Sequence, residues 1–505
     1  MALRARLVRA LGEPEPSSSY HAESWTALST LFMRRGDRRL EAENYLSSGY
    51  GIRISIESKS SGWVRFEKLA RVWQPLRLKG IQVGPETGTP FFAATQVFDL
   101  RPVPRKWLAL GRTHNAEGRF IERGQILVTC SGAVGRATLA FAPHAKVLIS
   151  HDLLRIEARQ LDNYGWLYAY LRAPKVRSMM TGAQYGHIIK HLEVAHIGAL
   201  PIPEVPARWR AHFATRVREI LDLRDGAHAA TLEAETLFEQ SLGRFKQGDN
   251  GETGFEVKAR KAIFPGRRRF EAAAHRPHVA QILKHFSRSG ERIELLRDVA
   301  ERVWWMNRFK RVYGDGGTRY LSADELFTTN PEITKRILIS DARKAKPYFV
   351  KAGWLLMACS GQTYGLLGST RLVSKYDEDA FLSHDLLRIA PRGDGARSGY
   401  LLTALTHPIL GRPLVIARAY GTSIPHLDPG DIELCPIVRL SLATENAIAD
   451  LAERSAELRA RADLLETEIA IKAEALLDRF IAGENLSRDN DEPFLRVAED
   501  SPHPP

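Results

Sequence analysis

The sequence predicts an α+β protein built from two tandem mixed α/β modules, each followed by a long helix. Three observations predict this fold: an internal duplication, short apolar runs broken by Gly and Pro, and a long amphipathic stretch after each copy. The chain has 505 residues, more than one typical domain, and 44% are hydrophobic. This is enough apolar material for more than one core.

The duplication keeps the same order in both copies. GQILVTCSGAVG (124–135) returns as GWLLMACSGQTYG (353–365), VLISHDLLRIEA (147–158) as AFLSHDLLRIAP (380–391), and AQYGHIIKHL (183–192) as RAYGTSIPHL (418–427). From Tyr185 and Tyr420 onward the copies stay in register without a gap, as far as Phe245 and Phe480. Chance similarity would not hold that register, so the modules share one fold.

A long helix is predicted at the end of each copy. The second has apolar residues at 3,4 spacing from Ile448 to Ile469, and the first has a less regular stripe from Phe213 to Leu237. A single amphipathic helix of this length cannot bury its stripe alone. We therefore expect the two helices to pack as an antiparallel coiled coil with pseudo-twofold symmetry.

These patterns divide the chain into seven segments. They are an N-terminal extension (1–37), the first module (38–206), the first long helix (207–246), a Gly-rich linker (247–267), the second module (268–441), the second long helix (442–485) and a flexible tail (486–505).

The charge balance favours a polyanionic partner. Lys and Arg number 72 against 59 Asp and Glu, a net charge of +13, and nucleic acid is the commonest partner of such a basic chain. A solvated basic surface is the alternative. Cys130, Cys359 and Cys435 show neither zinc-ligand nor disulfide spacing, and no apolar run is long enough to cross a membrane. We expect a cytoplasmic protein in which Cys130 and Cys359 are buried.

The duplicated motifs resemble the specificity subunits of type I restriction–modification enzymes. They are the CSG turns at 130–135 and 359–365, the second one residue longer between its glycines, the SHDLLRI strands at 150–156 and 383–389, and the YG-x-x-I-x-HL segments at 185–192 and 420–427. The resemblance covers about 38–481. It implies two target-recognition domains that each read half of a split site in double-stranded DNA, on helices that set the spacing.

The resemblance also implies partners. These are two copies of a DNA adenine methyltransferase subunit and, in a complex that also cleaves DNA, an ATP-dependent restriction subunit, with no membrane partner. S-adenosylmethionine (AdoMet) would be bound by the methyltransferase, and no cofactor or metal is expected in this chain. The predicted function is to direct that methyltransferase to a bipartite target. Two alternatives stay open: a similar subunit of another methylation-based phage-defence system, and a protein-binding scaffold without sequence-selective DNA binding.

Polar residues that differ between the two copies are the candidates for DNA contact. Arg suits guanine and Gln suits adenine. The base-reading candidates are Arg136, Gln184, His187 and Lys190 in the first module and Gln362, Tyr364, Arg418, Thr422 and Ser423 in the second. The phosphate candidates are Arg308, Lys310 and Arg311 with the basic segments 101–112 and 267–269. Any of these could instead be an ordinary surface residue, and Trp73 and Trp304 are interpreted as core anchors.

Patterns that could indicate an enzyme are weak. Ser150, His151 and Asp152 are adjacent, and on a strand neighbouring side chains point to opposite faces, so His151 would face away from Ser150. The spacing of His187, His191 and His196 is only partly repeated, since the second copy keeps His426 alone. We therefore predict no catalytic residue and no metal site.

Nuclease, methyltransferase and ATPase motifs are equally poorly matched. Glu256-Val257-Lys258 has a nuclease-like E-x-K form but lies in the predicted linker. Asn330-Pro331-Glu332-Ile333 lacks the second Pro and the aromatic residue of an amino-methyltransferase motif, and no phosphate-binding GxxxxGK[ST] pattern occurs. Methyl transfer and DNA cleavage are therefore expected of partner subunits.

Overall fold

The computed structural model describes residues 43–46, 48–77, 79–113, 116–186, 190–246, 248, 254–263, 270–289, 292–329, 335–378 and 380–486. Helices and strands are mixed along this part of the chain, which agrees with the predicted α+β class. The predicted extension (1–37) and all but the first residue of the predicted tail lie outside the described residues.

The helices are α1 (Glu43–Leu46), α2 (Ser48–Glu57), α3 (Phe66–Leu69), α4 (Tyr164–Arg172), α5 (Pro174–Gly182), α6 (Val194–Gly198), α7 (Ala207–Leu242), α8 (Ala259–Ile263), α9 (Pro277–Arg288), α10 (Leu296–Val299), α11 (Ala323–Leu326), α12 (Ala342–Ala345), α13 (Ser398–Thr406), α14 (Arg412–Ile416), α15 (Pro429–Glu433) and α16 (Leu442–Ala482).

The strands are β1 (Trp63–Arg65), β2 (Ala70–Trp73), β3 (Gln82–Val83), β4 (Thr89–Phe92), β5 (Lys106–Leu108), β6 (Ile126–Thr129), β7 (Ala137–Leu139), β8 (Leu148–Ile149), β9 (Leu153–Ala158), β10 (Pro201–Pro203), β11 (Ile293–Leu295), β12 (Ala300–Trp304), β13 (Tyr313–Leu321), β14 (Arg336–Ile337), β15 (Leu355–Ala358), β16 (Thr370–Leu372), β17 (Phe381–Leu382), β18 (Leu386–Pro391) and β19 (Pro436–Val438).

The chain divides into two compact units. Unit 1 takes the described residues of Met1–Val97, Lys106–Glu219 and Leu465–Pro505, and unit 2 takes those of Phe98–Arg105 and Ile220–Leu464. Each long helix therefore contributes one part to each unit. The short segment Phe98–Arg105 belongs to unit 2, where the Leu100 amide donates to the Phe327 carbonyl over 2.7 Å.

Each unit contains a four-stranded antiparallel sheet with the same strand order. Unit 1 has β2-β9-β6-β7, and unit 2 has β12-β18-β15-β16. The central strand comes from the SHDLLRI motif, and the register matches, since Ile126 pairs with Ile156 and Leu355 with Ile389. The first four residues of β9 and of β18, Leu-Leu-Arg-Ile in each, are all buried, so both strands are covered on both faces and each buries an arginine.

A smaller sheet in each unit leads into the SHD motif. In unit 1 the order is β3-β5-β4-β8, and in unit 2 it is β14-β13-β17. The parallel pairs β4–β8 and β13–β17 match in register, with Phe92 opposite Ile149 and Leu321 opposite Leu382. Strands β8 and β17 end directly before Ser150 and Ser383.

Both long helices begin where they were predicted, and they end four and three residues earlier, at Leu242 and Ala482. In unit 1, Lys472 Nζ lies 3.3 Å from His212 Nε2 and Arg216 pairs with Glu468. In unit 2, Arg224 pairs with Asp463 at 2.6 Å, and Ser455 Oγ donates to the Ala227 carbonyl over 2.7 Å. Ser455 is a buried polar residue within the apolar stripe of α16, and this hydrogen bond satisfies its hydroxyl group.

Two further properties concern the described residues alone. Among them, no helix is both long enough and apolar enough to cross a bilayer. The same part of the chain contains no cluster of His, Cys, Asp and Glu side chains that could hold a metal ion.

Candidate nucleic-acid interface

The three duplicated motifs meet in unit 1. The Cys130 amide donates to the Asp152 carbonyl over 3.1 Å, which joins the CSG turn to the SHD turn. The Leu192 amide donates to the Cys130 carbonyl over 3.0 Å, and the Gly132 amide donates to the Lys190 carbonyl over 3.0 Å. These bonds join the YG segment to the CSG turn, so three loops form one cluster at the end of the sheet.

Unit 2 contains the equivalent cluster. The Cys359 amide donates to the Asp385 carbonyl over 3.5 Å, and the Leu427 amide donates to the Cys359 carbonyl over 2.9 Å. The Gly361 amide donates to the Pro425 carbonyl over 3.1 Å. The backbone bonds match those of unit 1 one by one, so the cluster is part of the repeated fold.

The SHD motifs are turns rather than the beginning of a strand, which corrects the sequence interpretation. Ser150 Oγ donates to Asp152 Oδ2 over 2.8 Å, while His151 Nε2 lies 3.5 Å from Asp152 Oδ1. In unit 2 the matching Ser–Asp and His–Asp distances are 3.1 and 3.3 Å. The aspartate is thus the shared partner and holds the turn. A nucleophilic serine needs a histidine as its hydrogen-bond acceptor, and this arrangement does not provide one.

A buried arginine follows each SHD turn, at the third position of the next strand. Arg155 Nη1 donates to the carbonyls of Ser150 and Leu153, and Arg388 Nη1 donates to that of Leu386. Burial lowers the pKa of both guanidinium groups to about 10. Because the sequence shows only SHDLLRI, this role of the arginine could not be distinguished from that of a surface residue.

The cysteines of the CSG turns are buried, as expected. Burial raises the pKa of Cys130 and of Cys359 to about 12. Both therefore remain neutral thiols at physiological pH and act as small apolar residues.

The second CSG turn is longer than the sequence alignment indicated. Gly135 and Gly368, at φ +76° and +72°, both precede the strand that returns beside the turn, and their amides donate to Thr129 and Ala358. Gly368 is therefore the counterpart of Gly135, rather than Gly365. Six residues separate Gly361 from Gly368, whereas two separate Gly132 from Gly135.

The extra residues of the second turn contain two base-reading candidates. Gln362 is exposed, and its side-chain amide donates to the Ser423 carbonyl over 3.1 Å. Tyr364 is 71% exposed. Arg412 donates to the carbonyls of Thr363 and Gly365 on either side of Tyr364. The loop is thus held from within while its tyrosine projects outward.

The other candidates differ in how freely they could meet DNA. Thr422 and Ser423 are exposed, and Arg136, Gln184 and Lys190 are half-buried. Arg418 donates to the Leu434 carbonyl over 2.9 Å, so a base contact would have to replace that bond. His187 lies outside the described residues.

The phosphate candidates also divide. Arg308 and Lys310 are exposed, whereas Arg311 lies 3.5 Å from Asp385. In the segment 101–112, Arg101 pairs with Glu235 and Arg105 with Asp99, so both serve the packing of unit 2, while Arg112 is exposed. The segment 267–269 lies outside the described residues.

Sequence reasoning missed two basic residues of unit 1. RVWQPLRLK (71–79) aligns without a gap with RVWWMNRFK (302–310), so Arg77 and Lys79 are the counterparts of Arg308 and Lys310. All four are exposed. Both segments begin with Arg-Val-Trp, so this similarity is visible in the sequence itself.

Trp73 and Trp304 are half-buried rather than core residues. Arg71 lies over the Trp73 ring and Arg302 over the Trp304 ring, at 5.0 and 4.9 Å from the ring centroids. The same cation–π contact thus recurs in both units. In both units the guanidinium group covers one face of the tryptophan ring.

Comparison with protein-family models and with curated protein sequences returns no match. The chain is similar to several solved structures. One is the S subunit of a type I restriction–modification system from M. genitalium, at 12% identity, with 84% of this chain and 96% of that chain covered and a TM-score of 0.27. Another is the HsdS subunit from Thermoanaerobacter tengcongensis, at 14% identity, with 84% and 98% covered and a TM-score of 0.25.

A third similar structure concerns complex assembly and conformational transition of the type I restriction–modification system. It matches at 15% identity, with 84% of this chain and 98% of that chain covered, and a TM-score of 0.26.

Proposed function

We propose that this chain is the non-catalytic, DNA-binding specificity subunit of a methylation complex. It directs a DNA adenine methyltransferase to a bipartite target. The observation that carries this proposal is the repeated three-loop cluster, in which the supporting bonds are the same and the outward residues differ. A protein that reads two unrelated half-sites needs this combination, because its frame can be common while its base contacts cannot.

The charge of the chain supports a nucleic-acid partner. A net charge of +13 favours association with DNA, whose phosphates supply affinity, while contacts to base edges supply specificity. Gln362, Tyr364, Thr422 and Ser423 form an exposed group in unit 2, and Arg136, Gln184 and Lys190 belong to the equivalent loops of unit 1. We assign base reading to these two groups.

The finer organisation belongs to the same proposal. The modules 38–206 and 268–441 act as target-recognition domains, and the long helices form an antiparallel coiled coil that sets the half-site spacing. Ion pairs such as Arg216–Glu468 and Arg224–Asp463 support that packing. The helices bind two methyltransferase subunits, which bring AdoMet, and an ATP-dependent restriction subunit joins in a complex that also cleaves DNA. The complex acts in the cytoplasm.

The experiment that tests the proposal is methylation mapping. The chain is co-expressed with the DNA adenine methyltransferase of the same host, and methylated bases are located by single-molecule sequencing. We expect a split motif with two unrelated halves, and replacing residues 38–206 by another module should change one half alone. Methylation that is unchanged when the chain is omitted would favour the scaffold alternative. A split motif without any restriction subunit in the host would favour another phage-defence system.

A further inference from the structure

Each unit has an exposed Arg-x-Lys pair shortly after the strand that ends in a tryptophan, which is β2 in unit 1 and β12 in unit 2. The pairs are Arg77 with Lys79 in unit 1 and Arg308 with Lys310 in unit 2. All four side chains are exposed, and within the described part of the chain none of them forms an ion pair with a carboxylate. Arg311, the next basic residue in unit 2, differs because it lies against Asp385. Four charges are therefore available to an external anion.

The carbonyl group of the residue before each pair accepts a hydrogen bond at the same position of the repeat, but the donor is an arginine in unit 1 and a tyrosine in unit 2. Arg119, which is fully buried, donates through Nη2 to the Leu76 carbonyl. In unit 2, Tyr348 Oη donates to the Asn307 carbonyl over 2.8 Å. EGRF (117–120) aligns with KPYF (346–349), so the two donors occupy one position of the repeat. The bond is kept although the donor has changed, as expected if the position of the basic pair matters in both units.

Both segments also lie against the SHD turn of the recognition cluster. Gln74 Nε2 donates to the His151 carbonyl over 2.8 Å. In unit 2 a residue at a different position of the segment contacts the turn, since Arg311 lies 3.5 Å from Asp385. The basic pairs thus border the loops to which we assign base reading.

The repeated identity of the pairs indicates what they bind. The turns beside them differ between the units, as contacts to different bases would require. The Arg-x-Lys pairs are the same, and the DNA component that is the same in every half-site is the backbone phosphate. We propose that Arg77 with Lys79, and Arg308 with Lys310, are two equivalent phosphate clamps that position the DNA backbone at each recognition cluster. This inference rests on the proposed function and adds the residues that would supply its sequence-independent affinity.

The test is the salt dependence of DNA binding by the full chain with its methyltransferase. Two double variants, Arg77→Gln with Lys79→Gln and Arg308→Gln with Lys310→Gln, are compared with the quadruple variant. Binding to a duplex with the methylated motif and to a scrambled duplex is titrated between 50 and 200 mM salt. Each lost phosphate contact should reduce the slope of log K against log salt by about 0.9, hence by about 1.8 per double variant and about 3.6 in the quadruple variant.

A matched control removes the same charge elsewhere. Lys258 and Arg260 are exposed and lie in the Gly-rich linker between the modules. The double variant Lys258→Gln with Arg260→Gln should therefore leave the slope of log K against log salt nearly unchanged. Tyr348→Phe keeps every charge and removes the hydroxyl that holds the Asn307 carbonyl. It should reduce the slope by a smaller amount than the double variant of unit 2, and the methylated motif should stay the same in all variants.

The outcomes separate this inference from the proposed function. If the wild-type chain prefers its motif and both double variants keep the wild-type slope, the clamps are wrong and the proposed function stands. An equal fall in slope for Lys258→Gln with Arg260→Gln would also overturn the clamps, because the loss of net positive charge alone would then explain the effect. If the slopes fall as expected but the wild-type chain shows no preference for any sequence, the clamps stand and the proposed function fails. A wild-type chain that does not bind DNA overturns both.

Discussion

The recognition clusters of the two units share a frame and differ at one turn. In both, the cysteine amide and carbonyl join the CSG turn to its neighbours, and a glycine at positive φ returns the chain to the sheet. Between these fixed points unit 1 has a tight turn, whereas unit 2 has a longer loop with Tyr364 at 71% exposure. The frame is buried and tightly constrained, while the loop extends outward and can change length without disturbing the core.

The difference in length between the two turns distinguishes the residues that hold the loop in place from the residues that could contact DNA bases. Arg412 is part of the holding set, because it donates to two loop carbonyls. When the offset of 235 residues between Tyr185 and Tyr420 is extended upstream, Arg412 pairs with Arg177, which lies beside Gly135. An arginine therefore lies beside the turn in both units, while the side chains that the turn presents to the outside differ.

The largest effect is expected from shortening the second turn. Deleting Thr363–Leu366 keeps Gln362, the buried Leu367 and Gly368, and gives the turn the length of the one in unit 1. The contact of Tyr364 should be lost and that of Gln362 displaced, at about 1–3 kcal/mol for each base pair, so methylation of the motif should fall by about 30-fold or more. The measurement is the methylation rate with far-ultraviolet circular dichroism to confirm folding. An unchanged rate and an unchanged motif would show that this loop does not read DNA.

A smaller effect is expected at Asp99, which lies opposite Thr328 in an isolated bridge of unit 2. Burial raises the pKa of Asp99 to about 6, and Arg105 opposes the shift. The pKa of Asp99 is higher in the folded state than in the unfolded state. The contribution of this carboxyl group to the free energy of unfolding is therefore greatest below about pH 4, and it is lost as the pH rises to about 6. Asp99→Asn should therefore stabilise unit 2 above pH 6 by about 2 kcal/mol, with little change near pH 4.

The measurement for Asp99 is urea unfolding at several pH values. Asp341→Asn is a control with the opposite sign, since backbone hydrogen bonds from Lys344 and Arg343 lower the pKa of Asp341. The control should lose stability relative to the wild type at neutral pH. A pH-independent effect of Asp99→Asn would mean that the carboxyl is not destabilised by burial.

The glycines of the turns should give matched losses in the two units. Gly135→Ala places a methyl group 3.1 Å from Met180 Cβ, and Gly368→Ala places one 3.0 Å from Val415 Cγ1, both at positive φ. We expect each to destabilise its unit by about 1–2 kcal/mol. Gly132→Ala has positive φ but open space around the methyl group, so it should cost less. Thermal unfolding measures all three, and a large difference between Gly135→Ala and Gly368→Ala would argue against their equivalence.

The sequence predicted those parts of the molecule that depend on periodicity and repetition. The mixed fold class, the beginning of each long helix and the burial of Cys130 and Cys359 follow from apolar spacing and from the duplication. The length of the second turn did not follow, because Gly365 offered a closer match to Gly135 than the true counterpart Gly368. The hydrogen bonds of strand pairing decide that alignment, and they cannot be read from residue identity.

Two other features depended on three-dimensional contacts. Ser150 to Asp152 could be interpreted as part of a strand because the apolar run continues on both sides, and only the side-chain bonds to Asp152 show a turn. Arg119 and Tyr348 make the same bond with unlike side chains, so no similarity of residues points to it. Sequence comparison finds equivalent residues, whereas equivalent bonds between different residues need the structure.

The smallest effect is expected from Arg412, whose role is to position the longer loop. Arg412→Met removes two hydrogen bonds to the Thr363 and Gly365 carbonyls and keeps most of the apolar stem. A loop that samples more conformations pays an ordering cost on binding, so the affinity for the methylated motif should fall by about 1 kcal/mol, or about 5-fold. Binding to a scrambled duplex should change less, because the charge lies beneath the loop. Arg412→Lys restores the charge without the paired donors and should recover only part of the loss. If it recovers all of it, the guanidinium acts through its charge and not by holding the loop, and the distinction between holding and reading residues would have to be drawn elsewhere in unit 2.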